Sequence, residues 1–502
     1  MKLSKFLFGT TIGLAAGLLA LYYRRDKTVQ APARKPNTKI FDDFSAIDLG
    51  EFTDHLTLAA ADKTALVLEQ SENEYVSEGS LTTPVFDLPQ FKQLVASWNA
   101  LTPEGTAVQV EARINQGERW SAWHSWGRWS TKVLSASVKQ DREDSLAGID
   151  TDTLTVKNGV GTKAQLRVHL YSENPQQTPV LKLVAASVMP VHHDLMVDEH
   201  AVSIDKVIAT PAYSQEIRDP KLAPGICSPT TISMALNRQN ADILPEELAL
   251  HNLDVTYDGF GNWSFSTAAA GSMGYRAYTA YTSLDGLRRQ ISAGYPVGVS
   301  VQYTNDQDNG ELPYVENAIG STYGHLLLVT GFTQLNGVDY VAVNDSFADS
   351  NEDAKRLYRL EQFSEAWHSR VAYIIGGNYY GYERLMQPSR ESVKLVANDE
   401  RTAFTLRQDG ETVAITPKMV EQADPFDQQT VTIAYTVDDG GQFDTTAQQH
   451  FDYADADEEG RIKLDLAAIK QVHPSATTVT VYVIRMVAPT LVGTVSLADS
   501  ND

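Results

Sequence analysis

One predicted hairpin constrains the fold of this chain more than any other stretch. An apolar run at residues 324–332 leads to Asn336-Gly337, the strongest short signal for a two-residue β-turn, and a second apolar run ends at Asp345. His325 begins the outgoing strand and faces the region near residue 348, so pairing brings His325 and Asp345 to the same sheet edge. A histidine beside a carboxylate is the arrangement of a general base and its orienting group. For His325 alone, a buried strand-end histidine is the alternative.

The chain contains one cysteine, Cys227, which excludes an intramolecular disulfide and a thiolate metal cage. The residues after it predict a helix, because Ser228 is a favoured N-cap type and Pro229 suits the first helical position. A thiol just ahead of a helix N-terminus is close to unpaired N–H groups and to the positive end of the helix dipole, which favour the reactive thiolate. Alone, Cys227 is equally compatible with a small buried apolar side chain. The downstream histidine–carboxylate pair favours a nucleophile.

Charge and composition exclude several classes of function. The net charge of −23 makes the chain repel nucleic acid, so no nucleic-acid partner is expected. We also expect no cofactor and no metal. His192-His193-Asp194, with His200 nearby, is interpreted as part of a solvated connector rather than a tetrahedral site. The acidic turn at Asp455-Asp457-Glu459 places Leu466 where a calcium loop needs a glutamate.

The N-terminus resembles a membrane segment. Lys2 and Lys5 precede an uncharged run at residues 6–23, and Arg24-Arg25 follow it. The run lies near the lower end of the about 17–25 residues that span a bilayer. No small-residue cleavage motif ends it, so we expect an uncleaved anchor, with a removed signal peptide as the alternative. The expected location is membrane-anchored and extracytoplasmic, at the cell surface, or secreted if the segment is cleaved.

Hydrophobic periodicity predicts a multidomain α+β protein. The pattern is mostly strands, then helices followed by strands, then strands again. The predicted segments are an anchor or signal at 1–27, a linker at 28–39, a β-sandwich domain at 40–200, a mixed domain at 201–387 and a C-terminal β-rich domain at 388–502.

Four of the seven tryptophans fall in one short stretch, at every third position: Trp120, Trp123, Trp126 and Trp129. We interpret the stretch as a hairpin whose rings pack the core of the β-domain or its junction with the next domain. The alternative is a flat platform on which sugars stack, since aromatic rings offer an apolar face with a polar edge.

Five motifs occur in one order through the middle of the chain. They are Tyr213-Ser214-Gln215, Ile226-Cys227-Ser228-Pro229-Thr230, Gly261-Asn262-Trp263, Gly324-His325-Leu326 and Val343-Asn344-Asp345. The set resembles the stand-alone members of the family-39 cysteine peptidases, a branch of the papain-like superfamily. Trp98-Asn99-Ala100 and the tryptophan stretch resemble, more loosely, the β-rich segment that precedes this domain in some exported relatives. The implied architecture is a papain-like peptidase domain flanked by two mostly-β, sandwich-like domains, with an N-terminal membrane helix.

The resemblance implies a role for each of four residues. Cys227 would be the nucleophile, His325 the general base and later acid, and Asp345, or the adjacent Asn344, the group that orients the imidazole. Gln215 would supply the side-chain donor of the oxyanion hole, although its gap to Cys227 is longer than in papain-like enzymes generally.

The expected function is a membrane-anchored thiol hydrolase that cleaves peptide or amide bonds through an acyl-enzyme. Its expected partners are a peptide or protein substrate, and the membrane through the N-terminal helix. Two alternatives stay open. One is a cell-wall peptide amidase, and the other is a non-catalytic surface binding or adhesion protein on a degenerate peptidase scaffold.

Overall fold

The structure is a computed structural model that describes the following residues: 35–132, 135–138, 144–191, 203–218, 220, 222–239, 241, 243–378, 404–409, 412–417, 430–437, 448–452, 462–485 and 488–497. Several predictions lie outside these residues, namely the membrane segment at 1–27, most of the linker, the connector with His192-His193-Asp194 and His200, and the turn at Asp455-Asp457-Glu459. Within the described ranges, no helix has the length and apolar character that crossing a membrane requires.

An antiparallel β-domain occupies residues 38–190. Its elements are β1 Thr38–Phe41, α1 Leu49–Phe52, β2 Thr53–Asp54, β3 Leu56–Leu58, β4 Leu66–Leu68, β5 Gln70–Ser71, β6 Glu74–Tyr75, β7 Glu78–Thr82, β8 Phe86–Leu101, β9 Thr106–Gln116, β10 Arg119–Trp120, β11 His124–Trp129, β12 Ala147–Asp150, β13 Thr153–Val156, β14 Gly161–Ser172 and β15 Val180–Pro190.

Long strands make this domain one continuous sheet rather than two separate ones. Thirteen of the described strands are hydrogen-bonded into a single network around one apolar core. The network is continuous because β8 pairs with β13, β14 and β15, and β14 pairs with β7, β8 and β9. The predicted mostly-β character is present, and the continuity of the sheet was not visible in the sequence pattern.

The second region begins with helices and continues with a sheet. Its elements are β16 Lys206–Val207, α2 Cys227–Asn237, α3 Pro245–Asn252, α4 Trp263–Ser272, β17 Tyr275–Tyr281, α5 Leu284–Ala293, β18 Val297–Thr304, β19 Ser321–Leu335, β20 Val338–Asn344, β21 Lys355–Arg359, α6 Leu360–Ala366 and β22 Val371–Asn378. The antiparallel sheet runs β17-β22-β18-β19-β20-β21, with β16 paired to β19. Helices α2 to α4 come early in this region of the chain, and most of its strands follow them. A site that uses residues of both the helices and the sheet therefore lies between the helices and the sheet.

The predicted hairpin is confirmed. Strands β19 and β20 pair from Leu335↔Val338 to Leu328↔Asn344, with a bulge between Val329 and Gly331. Asn336 and Gly337 both have positive φ, 52° and 79°, as a type I′ turn requires. The turn therefore sets the register that carries the start of β19 and the end of β20 to one edge.

Strand β8 joins the two regions by presenting a different face to each. Trp98 packs in the β-domain core, whereas the neighbouring Ser97 and Asn99 face the edge strand β17. The N–H of Thr279 donates to Ser97 Oγ over 2.9 Å, and the N–H of Ala277 donates to Asn99 Oδ1 over 3.1 Å. Side chains of the β-domain thus accept backbone N–H groups of β17 at the edge of the second sheet.

Two of the clustered tryptophans complete this junction. Trp126 and Trp129 are fully buried, and Trp129 Nε1 donates to the carbonyl of His251 in the second region over 3.0 Å. Trp120 and Trp123 are half-buried, and the guanidinium of Arg113 lies 4.8 Å from each ring. The packing interpretation is therefore confirmed for Trp126 and Trp129.

The C-terminal part is also rich in strands. Its described elements are β23 Phe404–Asp409, β24 Thr412–Pro417, β25 Thr430–Val437, β26 Gln448–Asp452, β27 Ile462–Asp465, α7 Leu466–Val472, β28 Thr478–Arg485 and β29 Ala488–Ser496. They form the sheets β23-β24-β27 and β26-β25-β28-β29. Asp465 caps α7 by accepting the N–H of Ala468 over 3.0 Å.

Candidate active site

Cys227 is the first residue of helix α2, so the helix begins two positions earlier than the predicted start at Pro229. The N-cap is Ile226, which gives no side-chain cap, and the expected cap Ser228 lies inside the first turn. Its hydroxyl bonds instead to Ser266 Oγ, 2.7 Å away, and to Tyr373 Oη, 3.1 Å away. The prediction of a Ser228 cap is therefore wrong. Cys227 still lies where helix N–H groups lack intrahelical acceptors and the dipole is positive.

The hairpin brings His325 and Asp345 into direct contact. His325 is near the start of β19, Asp345 follows β20, and both side chains are fully buried. Nε2 of His325 lies 2.8 Å from Oδ1 of Asp345. The carboxylate therefore fixes which ring nitrogen points away from it, as an orienting group does in a catalytic triad.

Two tyrosines hold the other oxygen of this carboxylate. Oδ2 of Asp345 accepts the hydroxyls of Tyr303, at 2.8 Å, and Tyr358, at 2.6 Å, while Oδ1 also accepts the N–H of Phe347 at 3.0 Å. Burial favours the neutral acid, but the charge of His325 and these hydrogen bonds outweigh it and lower the pKa of Asp345 to about 2. Asp345 is therefore an ionised carboxylate at neutral pH.

Because Nε2 of His325 is bound to Asp345, the other ring nitrogen, Nδ1, is the one that can interact with the Cys227 thiol. Nδ1 makes no well-aligned hydrogen bond within the described residues, which is common for catalytic pairs without substrate. Burial raises the pKa of the Cys227 thiol. Its interaction with His325, together with the N–H groups of Leu326 and Ser228, outweighs burial and lowers that pKa below its usual value.

The histidine responds in the opposite direction. Burial lowers the pKa of His325, but Asp345 and Cys227 outweigh burial and raise it to about 9. A lowered thiol pKa and a raised imidazole pKa together favour a thiolate–imidazolium pair at neutral pH. This is the charge state of an activated cysteine nucleophile.

Aromatic rings fix the plane of the imidazole. The ring of Phe347 stacks on His325 with centroids 3.7 Å apart and planes 16° apart. Tyr303 approaches His325 edge-on, with centroids 6.1 Å apart. The stacking keeps the ring from rotating away from Asp345 and shields their hydrogen bond from water.

Gln215 lies between the segment before Cys227 and the segment after Asp345. Its side chain is buried; Nε2 donates to the carbonyl of Ala223 over 2.6 Å, and Oε1 accepts the hydroxyl of Ser346 over 2.7 Å. An amide nitrogen carries two N–H donors, so one remains for a further acceptor. The role of Gln215 at an oxyanion stays a prediction.

Asn344 does not take the place of Asp345. Its Nδ2 donates to the carbonyl of Pro211 over 2.8 Å and lies 3.7 Å from Met234 Sδ. Successive residues of a strand point to opposite faces, so the side chain of Asn344 is directed away from the imidazole. The histidine partner in this structure is Asp345.

Sequence reasoning missed the residues that surround the pair, Tyr303, Tyr358 and Phe347. A signal existed for Tyr303, because it continues the inward alternation of Val297, Val299 and Val301 in β18 and is the only member with a hydroxyl. Tyr358 and Phe347 offered no comparable pattern. In the described part of the chain, no group of three or more His, Cys, Asp or Glu side chains is placed to hold a metal ion.

The fold and the arrangement of Cys227, His325 and Asp345 define a papain-like cysteine-peptidase scaffold. A family model described as Peptidase C39 N-terminal domain matches residues 41–188, and one described as Peptidase_C39 like family matches residues 207–375. Over these two regions the chain is a C39-family peptidase-like protein. The resemblance drawn from the sequence motifs is therefore confirmed.

Other comparisons add little. No match was found among curated proteins. Digestive procathepsin L 3 of the Tenebrio molitor larval midgut is 14% identical, with 36% of this chain and 72% of that chain covered and a TM-score of 0.27. The C-terminal CBM6 of LamC from Zobellia galactanivorans is 9% identical, with 30% and 99% covered and a TM-score of 0.17. TM-scores this low support neither a fold nor a function.

Proposed function

We propose that the protein is a thiol hydrolase of peptidase type that cleaves peptide or amide bonds through an acyl-enzyme. The observation that carries this proposal is the hydrogen bond between Asp345 and His325, together with the interaction of that imidazole with the only cysteine, Cys227. An ionised carboxylate behind a buried imidazole, beside a thiol at a helix N-terminus, matches what thiol activation requires.

The reaction begins when the Cys227 proton moves to Nδ1 of His325. The thiolate then attacks the carbonyl carbon of the scissile amide, and the electrons of the C–O double bond move onto the oxygen. As this intermediate collapses, the C–N bond breaks and Nδ1 gives its proton to the leaving nitrogen. Water, deprotonated by Nδ1, then hydrolyses the thioester on Cys227 and releases a carboxylic acid.

Two donors are candidates for holding the negative oxygen of the intermediate. One is the backbone N–H of Cys227 at the start of α2, and the other is the remaining amide N–H of Gln215. The bond from Ser346 to Oε1 fixes the orientation of the Gln215 amide, since an oxygen must accept that hydroxyl. Gln215→Ala should therefore lower kcat more than it raises KM.

We place the enzyme outside the cytoplasm, held by the apolar run at residues 6–23 or released if that run is cleaved. The substrate is a peptide or protein, with a cell-wall peptide as the competing possibility. Incubating the full chain with denatured proteins and with muropeptides, side by side, separates these two classes of substrate.

The thiol itself provides the direct test. We expect iodoacetamide to alkylate the folded protein at pH 6 to 7, where an ordinary thiol of pKa about 8.5 is nearly inert. Labelling should vanish in Cys227→Ala. The kcat/KM profile should be bell-shaped, rising through the lowered pKa of Cys227 and falling above about pH 9, where His325 loses its proton.

The opposite result is equally clear. An alkylation rate that rises only near pH 8.5 in the folded protein, as it does after unfolding, would show that Cys227 is not activated. His325→Ala provides a control, because removing the imidazole should return the alkylation profile to that of an ordinary thiol.

A further inference from the structure

A buried ion pair lies next to the candidate oxyanion donor and has no role in the mechanism above. Arg218 follows Gln215 by three residues, and Nη1 of its guanidinium lies 3.4 Å from Oε2 of Glu246 in the first turn of helix α3. Both side chains are fully buried. Desolvation of two charges largely offsets their attraction, so such a pair adds little net stability. The pair does fix the place at which this part of the chain meets the helix.

The ion pair anchors one end of the segment that carries Gln215, which we call the Gln215 loop and define as residues 213–218. The N–H of Arg218 donates to the carbonyl of Gln215 over 3.0 Å, so the position of Arg218 sets that of the Gln215 peptide group. Helix α3 in turn packs on α2, the helix that begins with Cys227, because Leu248 belongs to the same apolar cluster as the buried face of α2. The ion pair therefore relates Gln215 to the helix that carries the thiol.

The other end of the Gln215 loop is attached to α2 directly. The N–H of Tyr213 donates to Sδ of Met234 over 3.2 Å, and the hydroxyl of Tyr213 accepts an N–H of Asn237 Nδ2 over 3.0 Å. The guanidinium of Arg218 lies 5.5 Å from the centroid of the Tyr213 ring, within the range of a cation–π contact. The loop is thus held at both ends, by α2 at Tyr213 and by α3 at Arg218.

These anchors control the position of the Gln215 amide. Its bonds to the carbonyl of Ala223 and to the hydroxyl of Ser346 set the orientation of the amide plane. The two ends of the loop set the backbone position of Gln215. A misplacement of about 1 Å can cost about 10²-fold in rate, since a donor then no longer meets the oxygen on which charge develops. Loss of the anchor at Arg218 should therefore weaken oxyanion stabilisation.

We propose that Arg218, paired with Glu246, is a positioning residue that keeps the Gln215 amide directed at the oxyanion. This inference rests on the proposed function, because it assigns a role within the same site. Activation of the thiol is separate, since the charge state of His325 depends on Asp345 and on the thiol itself. The ion pair therefore affects the step in which negative charge develops on oxygen, and it leaves the reactivity of the thiolate unchanged.

Two reagents separate these effects in the full chain without a natural substrate. p-Nitrophenyl acetate acylates an activated thiol: the thiolate attacks the ester carbonyl, an oxyanion forms, p-nitrophenolate leaves and a thioester remains. Iodoacetamide alkylates the same thiolate by displacement of iodide from a saturated carbon, so no oxyanion forms. In Arg218→Met/Glu246→Leu we expect acylation of Cys227 at pH 7 to slow about tenfold and alkylation to keep its rate. Replacing both charges avoids a buried charge without a partner.

A double-mutant cycle tests whether the ion pair acts through Gln215. Gln215→Ala should slow acylation, and adding Arg218→Met/Glu246→Leu to it should cause no further loss, because the amide that the pair positions is already absent. Arg218→Lys keeps the charge and should slow acylation only about threefold, again with no further loss in the Gln215→Ala background. Lys182→Met/Asp62→Leu removes a buried ion pair of the β-domain and is the matched control, which should keep both rates.

The outcomes separate the inference from the proposed function. Equal losses of acylation and alkylation, unchanged acylation in the folded variant, losses that multiply with Gln215→Ala, or wild-type acylation in Gln215→Ala itself overturn the positioning role and leave the hydrolase intact. If thermal unfolding shows that Arg218→Met/Glu246→Leu does not fold, Arg218→Lys decides by the same comparisons. A Cys227 that reacts with neither reagent at neutral pH overturns both the proposed function and the inference.

Discussion

The described part of the protein contains buried histidine–aspartate pairs in two different regions. In the peptidase-like region, His325 Nε2 lies 2.8 Å from Asp345; in the β-domain, His124 Nε2 lies 3.1 Å from Asp144 Oδ2. Both histidines are fully buried. By distance and burial alone, the two pairs look alike.

Their surroundings differ. Asp144 accepts the backbone N–H groups of Ala122 and Leu146, both at 2.8 Å, so it ties a loop to strand β11. Asp345 accepts two tyrosine hydroxyls and supports an imidazole that faces the only cysteine. A buried histidine–aspartate pair is therefore structural by default. What the second ring nitrogen faces decides whether it is catalytic.

The largest difference should come from removing each histidine. His325→Ala should lower kcat/KM by at least about 10³-fold, because both proton transfers and the thiolate charge depend on it. His124→Ala should leave kcat/KM nearly unchanged and destabilise the protein by about 1–3 kcal/mol, since it leaves the buried Asp144 without its partner. Peptide cleavage and thermal unfolding measure the two effects. Similar losses of kcat/KM in folded His325→Ala and folded His124→Ala would mean that the two histidine–aspartate pairs do not differ in function.

Replacing the carboxylates should give the next largest difference. Asp345→Asn should reduce kcat by about 10²–10⁴-fold, because an amide neither stabilises the imidazolium nor selects the same tautomer. The iodoacetamide rate at pH 6 should fall with it. Asp144→Asn is the matched control and should retain both rates. An unchanged iodoacetamide rate in folded Asp345→Asn would show that Asp345 does not help to activate the Cys227 thiol.

A smaller effect is expected from the tyrosines behind Asp345. Tyr303→Phe or Tyr358→Phe removes one hydrogen bond to a charged oxygen, and we expect roughly a tenfold loss in kcat/KM for each. The alkaline limb of the pH profile should also move to higher pH, because a carboxylate with one hydrogen-bond donor fewer is more basic and stabilises the protonated imidazole of His325 more strongly. Tyr340→Phe on β20 is the control, and a shift of the same size there would make the effect nonspecific.

The smallest difference should appear in stability as a function of pH. The pKa values of Asp345 and Asp144 are both lowered in the folded state, although burial opposes this. Their stabilisation is present above the unfolded value of about 3.9 and is lost as the pH falls through the folded value. Asp345→Asn and Asp144→Asn should therefore each show a smaller decrease in Tm on acidification than the wild type.

The raised pKa of His325 works in the opposite direction. Its stabilising contribution is complete below the unfolded value of about 6.5 and is lost as the pH rises through about 9. The Tm of the wild type should therefore decrease between these pH values relative to His325→Ala. If the Tm values of the wild type and of His325→Ala change in parallel with pH, His325 does not carry a proton in the folded protein as we propose.

Sequence alone was sufficient where a local signal fixed a long-range contact. Asn336-Gly337 set the turn, the turn set the register, and the register brought His325 to Asp345. Tyr358 escaped prediction because β21 reaches Asp345 only through tertiary pairing with β20. The pair His124–Asp144 also escaped prediction, although its members are 20 residues apart like His325 and Asp345, because no Asn-Gly or Asp-Gly turn signal lies between them to set a register.

Local signals also failed at helix α2 of the candidate site. Ser228 is a residue type favoured at N-caps, yet its hydroxyl has hydrogen-bond partners on α4 and β22, so tertiary contacts override the capping preference. The open choice between Asn344 and Asp345 was of the same kind. Only the register of β20 decides which of two adjacent polar side chains faces the imidazole.

The edge strand β17 has a consequence for how this protein can be divided. Ser97, Asn99 and Ser187 of the β-domain bond the backbone N–H groups of its outer edge. A fragment that started at residue 203 would keep Cys227, His325 and Asp345 but lose those partners, and an uncovered edge favours strand addition between copies and aggregation. The β-domain therefore covers an edge that would otherwise favour association between copies of the second region.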